Sequence, residues 1–122
     1  YGIEKFYETG ITMVTVVNRD YCKKLIAVLP GQKHPEQYHN EKEETFHLLF
    51  GDIQLTLNGE NVDMCCGDTI TIEPGVRHKF DSKGGCVIEE ISTTHQVSDS
   101  FYTDPLIMEN HDRKTILKYW LD

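Results

Sequence analysis

Positive charge is scarce in this chain. Lys and Arg number 12 against 20 Asp and Glu, a formal net charge of −8 over 122 residues. Nucleic acid and anionic membrane surfaces both demand clustered cations, so neither is expected as a partner. Long apolar runs are missing too. A stretch such as residues 25–29 falls far short of the ~20 residues that a membrane helix needs. No cationic leader followed by an apolar segment opens the chain, so no secretory signal is expected. The chain begins at Tyr1 without Met, which fits a domain cut from a longer protein and fits trimming equally well. Cys22, Cys65, Cys66 and Cys86 form neither a CxxC pair nor the spacing of a disulfide framework. Reduced, partly buried thiols in a cytoplasmic protein are the expectation. Repeats and low-complexity segments are absent.

What remains is an ordinary globular composition, 39% apolar and 26% charged, of a length that suits one domain over residues 1–122. Helical periodicity is nearly lacking, and short alternating runs take its place. Residues 11–18 are rich in β-branched side chains, and 22–29, 36–39, 44–50, 53–57, 62–65, 69–73, 77–81 and 86–94 read as further strands. Turn chemistry separates them: Pro30-Gly31, Gly51-Asp52, Gly67-Asp68, Pro74-Gly75 and above all Asn58-Gly59, whose residues tolerate positive φ. Such a pattern predicts an all-β sandwich or barrel. Residues 1–10 form an N-terminal arm of no definite structure, and 32–36 a loop. In the tail, 104–109 suits one helical turn with Pro105 near its start, while 113–121 is either a short helix or a last strand.

Two clusters carry chemistry. The first is Gln37-x-His39-x4-Glu44-x6-Gly51, the second Gly67-Asp68-x4-Glu73-Pro74-Gly75-x2-His78. Gln37 and His39 are two apart and share a strand face. Glu44 opens the next strand, where Glu44, Phe46, Leu48 and Phe50 share one side and Thr45, His47 and Leu49 the other. His78 would join from a separate hairpin. Two imidazoles, a carboxylate and an amide oxygen make a five- or six-coordinate site with open positions, suited to Mn, Fe, Co, Ni or Zn.

These clusters resemble the two motifs of the cupin superfamily. Gly31, Gln37, His39, Glu44 and Gly51 fill the first, with Gln in the first His position. Gly67, Gly75 and His78 match the second; Glu73 stands where a Pro is expected, and Ser82 replaces an Asn. The resemblance extends over residues 25–95. It implies a small jelly-roll β-barrel, commonly a homodimer, with a divalent metal held by Gln37, His39, Glu44 and His78. The segment 89–105, with Glu89-Glu90 and Asp99-Ser100-Phe101-Tyr102-Thr103-Asp104-Pro105, is similar to the tail of sugar-isomerase cupins of the D-lyxose isomerase type. It is also similar to cupin domains fused to N-acetylneuraminate synthase-like enzymes of sialic acid and related surface-sugar pathways.

The resemblance implies a carbohydrate ligand and a sugar isomerase or epimerase activity. A non-catalytic sugar-binding or dimerising module is the alternative, and an Fe(II) dioxygenase a third reading. Gln37 reads either as an oxygen ligand or as a wall residue of a site that no longer binds metal. Glu89 and Glu90 are adjacent on a strand, so one points inward as a candidate general base. His34, before Pro35, is expected in an exposed loop, and His47 on the outer face or at a dimer contact. His95 and His111 are expected at the surface. Glu41, Lys42 and Glu43 are expected as a solvated charge run, Cys65-Cys66 as packing at a strand end, and Tyr119, Trp120 and Leu121 as a cover for the barrel or a partner chain.

Overall fold

Alternating side chains and glycine-marked turns produce ten strands among residues 5–109, the part of the chain that the computed structural model describes. In order these are α1 (Phe6–Thr9), β1 (Thr12–Asn18), β2 (Tyr21–Val28), β3 (Lys33–Tyr38), β4 (Glu44–Gly51), β5 (Ile53–Leu57), β6 (Glu60–Met64), β7 (Thr69–Ile72), β8 (His78–Asp81), β9 (Cys86–Thr93), a 3-10 turn (Val97–Asp99), β10 (Phe101–Tyr102) and α2 (Pro105–Glu109). They form two antiparallel five-stranded sheets, ordered β1-β2-β9-β4-β7 and β10-β3-β8-β5-β6. This is the expected jelly-roll barrel. No helix among the described residues is long and apolar enough to cross a membrane.

The inward faces are not uniform along the barrel. Ile26, Val28, Leu48, Ile53, Leu55, Met64, Cys86 and Ile88 pack one stretch of the interior, and Phe46, Ile72 and Phe80 extend it. Full burial of each such side chain stabilises the fold by roughly 1.5–3 kcal/mol. Further along the same strands the inward positions turn polar. Across β2, β9 and β4 the row Ile26, Ile88, Leu48 is followed by Lys24, Glu90, Phe46 and then by Cys22, Ser92, Glu44. The apolar rows hold the barrel together, and the polar rows are the part available for chemistry.

Several expectations change for local reasons. Phe50 does not continue the inward face of β4; it is 65% exposed. The pairing with β9 shifts between Leu48 and Phe50, and this bulge reverses the alternation. The strand expected at 36–39 starts earlier, at Lys33, and takes in residues expected as loop. Pro35 has no N–H for a ladder, and the pairing with β8 slips between His34 and Gln37, so a bulge absorbs it. His34 is consequently buried and stacked on Phe80, with ring centroids 4.8 Å apart. Cys65 and Cys66 are exposed, because β6 ends at Met64. The N-terminal arm contains α1, anchored by buried Gln32, which donates to the Phe6 carbonyl and accepts the Leu29 N–H. α2 occurs where the helical turn was predicted. His111, the segment 113–121 and its Tyr119, Trp120 and Leu121 lie outside the described residues.

Candidate metal centre

Three elements converge at the polar end. Glu44 is the first residue of β4, His78 the first of β8 in the opposite sheet, and His39 follows β3 directly. All three are buried, and one ligand atom from each lies within 4.8 Å of the others. Glu44 Oε1 is 2.9 Å from His78 Nε2 and 3.5 Å from His39 Nε2. These approaches lack hydrogen-bond geometry, and all three atoms are left without a hydrogen-bond partner.

The opposite nitrogen of each ring explains the arrangement. His39 Nδ1 lies 2.9 Å from the Asp99 carbonyl oxygen and His78 Nδ1 3.0 Å from that of Val76. A carbonyl can only accept, so both Nδ1 atoms carry hydrogen, and in the neutral rings both Nε2 atoms present lone pairs. A backbone carbonyl behind each imidazole is the usual support of a metal-ligating histidine. The donor set of two imidazoles and a carboxylate therefore fits a divalent cation. The Gly75 N–H donates to the His39 carbonyl at 2.6 Å, which ties the two sequence clusters together through the backbone.

Two further charged groups face this centre. The Lys42 ammonium is buried 3.2 Å from Glu44 Oε2 and 3.5 Å from Glu90 Oε2, with His95 Nδ1 at 3.4 Å. Burial pulls Lys42 down, but Glu44 and then Glu90 outweigh it, and the net shift is upward. Burial likewise opposes ionisation of Glu44, yet Lys42, together with His39 and His78 where their Nε2 atoms carry a proton in place of a metal, holds it well below the usual carboxylate range. His78 is drawn down by burial and raised overall by Glu44. Burial, and then the Glu44 carboxylate, push Glu90 up to about 7. His34 is pushed down to about 3 by burial and by His78, so it stands neutral beside the centre.

Among the sequence-predicted residues, His39, Glu44 and His78 come together. Gln37 is half-buried and pairs directly with His78 across β3 and β8, which puts the two side chains on the same side of the sheet. Glu90 points inward. Glu89 points outward, 2.9 Å from Lys23 and 3.1 Å from His47, so it does not share the site and His47 sits on the outer face as expected. Lys42 is not part of a solvated charge run, and His95 is half-buried against it. Counting back by two from Glu44 would have found Lys42, because the inward alternation of β4 continues into the preceding loop. Lys24 carried the same signal, a charge in the inward register of β2.

Residues 24–98 match the Cupin domain family. The chain is 27% identical over 136 residues to a D-lyxose/D-mannose isomerase of Thermosediminibacter oceani, an alignment covering 88% of this chain and 75% of that protein. Identity and coverage are the same for a D-lyxose ketol-isomerase of Cohnella laeviribosi. Among solved structures, the L-ribose isomerase of Cellulomonas parahominis with L-psicose aligns at a TM-score of 0.73 and 14% identity, covering 81% of this chain and 71% of that one. At that identity the likeness concerns the fold.

Proposed function

The chain belongs to the cupin family, and from that premise we propose that it is a metal-dependent sugar isomerase that exchanges an open-chain aldose with its ketose. The observation that carries the reading is the trio of buried, unpartnered atoms on His39, Glu44 and His78, with both imidazoles braced from behind. The names of the related isomerases support the substrate class. In this proposal His39, Glu44 and His78 hold a divalent ion, with Gln37 as the fourth protein ligand. The ion supplies Lewis-acid polarisation of the sugar's oxygens.

The chain's own residues do the rest. Glu90, the inward carboxylate outside the ligand set, takes the proton from the carbon next to the carbonyl. The electrons of that C–H bond form the carbon–carbon double bond, and the charge passes to the former carbonyl oxygen, near the Lys42 ammonium. Glu90 then returns its proton to the neighbouring carbon while the hydroxyl proton moves from one oxygen to the other, so the atoms balance. A homodimer in the cytoplasm belongs to the same proposal, and light scattering tests the pairing.

Elemental analysis of protein purified without chelator should find a divalent metal, and His78→Ala or Gln37→Ala should lower its content. Loaded with Mn²⁺ or Co²⁺, the protein should exchange aldose and ketose within a panel of pentoses, hexoses and their phosphates. Bound metal without turnover would sink the isomerase and favour a sugar-binding module. Oxygen uptake after anaerobic Fe(II) loading would favour a dioxygenase instead.

A further inference from the structure

The connection between β3 and β4 belongs to neither sheet, so its backbone N–H groups have no ladder partner and must find one elsewhere. Buried Asp99, in the 3-10 turn after β9, provides it. Its Oδ1 accepts from the N–H of Asn40 at 2.9 Å and of Glu41 at 3.2 Å. Its Oδ2 accepts from the N–H of Lys42 at 3.0 Å and of Glu41 at 3.3 Å. Its backbone carbonyl accepts the His39 Nδ1–H at 2.9 Å. One residue thus grips three consecutive amides and the ring that precedes them. The side chains this segment sends inward are His39 and Lys42, the two that reach Glu44. Four hydrogen bonds from three consecutive amides to one carboxylate leave the segment little freedom.

We propose that Asp99 is the positioning residue of the centre. It fixes the tautomer and orientation of His39 and the placement of Lys42 relative to Glu44, and it touches neither metal nor substrate. The inference rests on the reading of His39, Glu44 and His78 as a metal-holding set. Simple capping of a loop would affect stability alone, so the test must read something else.

Asp99→Asn keeps the shape but turns an amide NH₂ toward a backbone N–H. Ser82→Ala is the control: it removes a part-buried hydrogen bond to the Asp52 carbonyl, made at 2.7 Å by a residue outside the centre. Co(II) is titrated into each protein, with the visible absorption bands recorded, and urea unfolding is measured without metal. Asp99→Asn should weaken Co(II) binding roughly 10–100-fold and alter the bands. Ser82→Ala should lose stability with affinity and bands unchanged. Equal affinity and bands in wild type and Asp99→Asn overturn the role of Asp99 while the metal reading stands. A wild type that binds no Co(II) refutes the metal reading, and this role of Asp99 falls with it. Should Asp99→Asn not fold, the metal-free wild type decides. ¹⁵N NMR should show His39 as the Nδ1–H tautomer and slow exchange at the Asn40 and Lys42 amides. An Nε2–H ring, or exchange at the rate of an open loop, overturns the proposal.

Discussion

At the scale of single residues, Lys42 governs the electrostatics. Two carboxylates, Glu44 and Glu90, are buried within 3.5 Å of its ammonium. Taking the cation away leaves Glu90 without a compensating charge and Glu44 with only its histidines, and breaking a buried pair in this way costs about 3–5 kcal/mol. Lys42→Met should therefore lower the urea-derived stability of the metal-free protein by about 3 kcal/mol at pH 8. Without the ammonium, Glu90, already pushed up to about 7 by burial and Glu44, moves further above its unfolded value. The folded chain then binds more protons, so the deficit should be full at high pH and narrow as pH falls through that raised value. Adding Glu90→Gln should recover part of the loss, and a double variant no more stable than the single one would show that Lys42 does not compensate Glu90. His39, Glu44 and His78 were legible in the sequence because strand alternation and motif spacing place them, whereas alternation left open which of Glu89 and Glu90 faces inward. Lys42 was misread because a run of charges between two strands looks like a solvated turn. Asp99 left no comparable signal: its partners are backbone amides 57–59 positions away.

Single elements show where alternation holds and where it breaks. The hairpin at Asn58-Gly59 forms as its sequence demands, with φ of +48° and +83°. Alternation also predicted most strand boundaries closely, but bulges reset it, and those in β3 and β4 decide the fates of His34 and Phe50. The two-residue strand β10, paired with Tyr38 and Gln37 of β3, is too short to carry a periodic signal. Gly51, the last glycine of the first motif, works for the strand rather than for the site. It ends β4, seven residues beyond Glu44, with φ at +82°. A Cβ there would run into the Gly85 carbonyl oxygen, so the backbone would have to move. Left-handed backbone costs a residue with a side chain roughly 1–2 kcal/mol before any clash. Gly51→Ala should thus lose about 3 kcal/mol in urea unfolding, with Co(II) affinity unchanged. A wild-type midpoint would show that the contact relaxes freely, and a lost Co(II) affinity would show that the two ends of β4 are coupled.

For the whole molecule, the barrel joins a greasy interior to a charged one along the same strands, and the proposed ligands come from both sheets. Glu44 belongs to the first sheet, His78 to the second, and His39 to the connection between them. Only the folded chain brings these three together, so an ion that binds them stabilises the fold as a whole. At a free concentration 100 times Kd that gain is about 2.7 kcal/mol. In a domain of 122 residues, 1 kcal/mol moves Tm by roughly 4 °C. Saturating Mn²⁺ or Co²⁺ should therefore raise Tm by on the order of 10 °C, and a chelator should reverse the rise. His78→Ala should flatten the response, because the link to the second sheet is cut. Glu89→Gln should keep it in full, since Glu89 lies on the outer face with Lys23 and His47. A metal that raises Tm equally in His78→Ala would be binding somewhere other than between the sheets, and the buried His39, Glu44 and His78 would then need a different explanation.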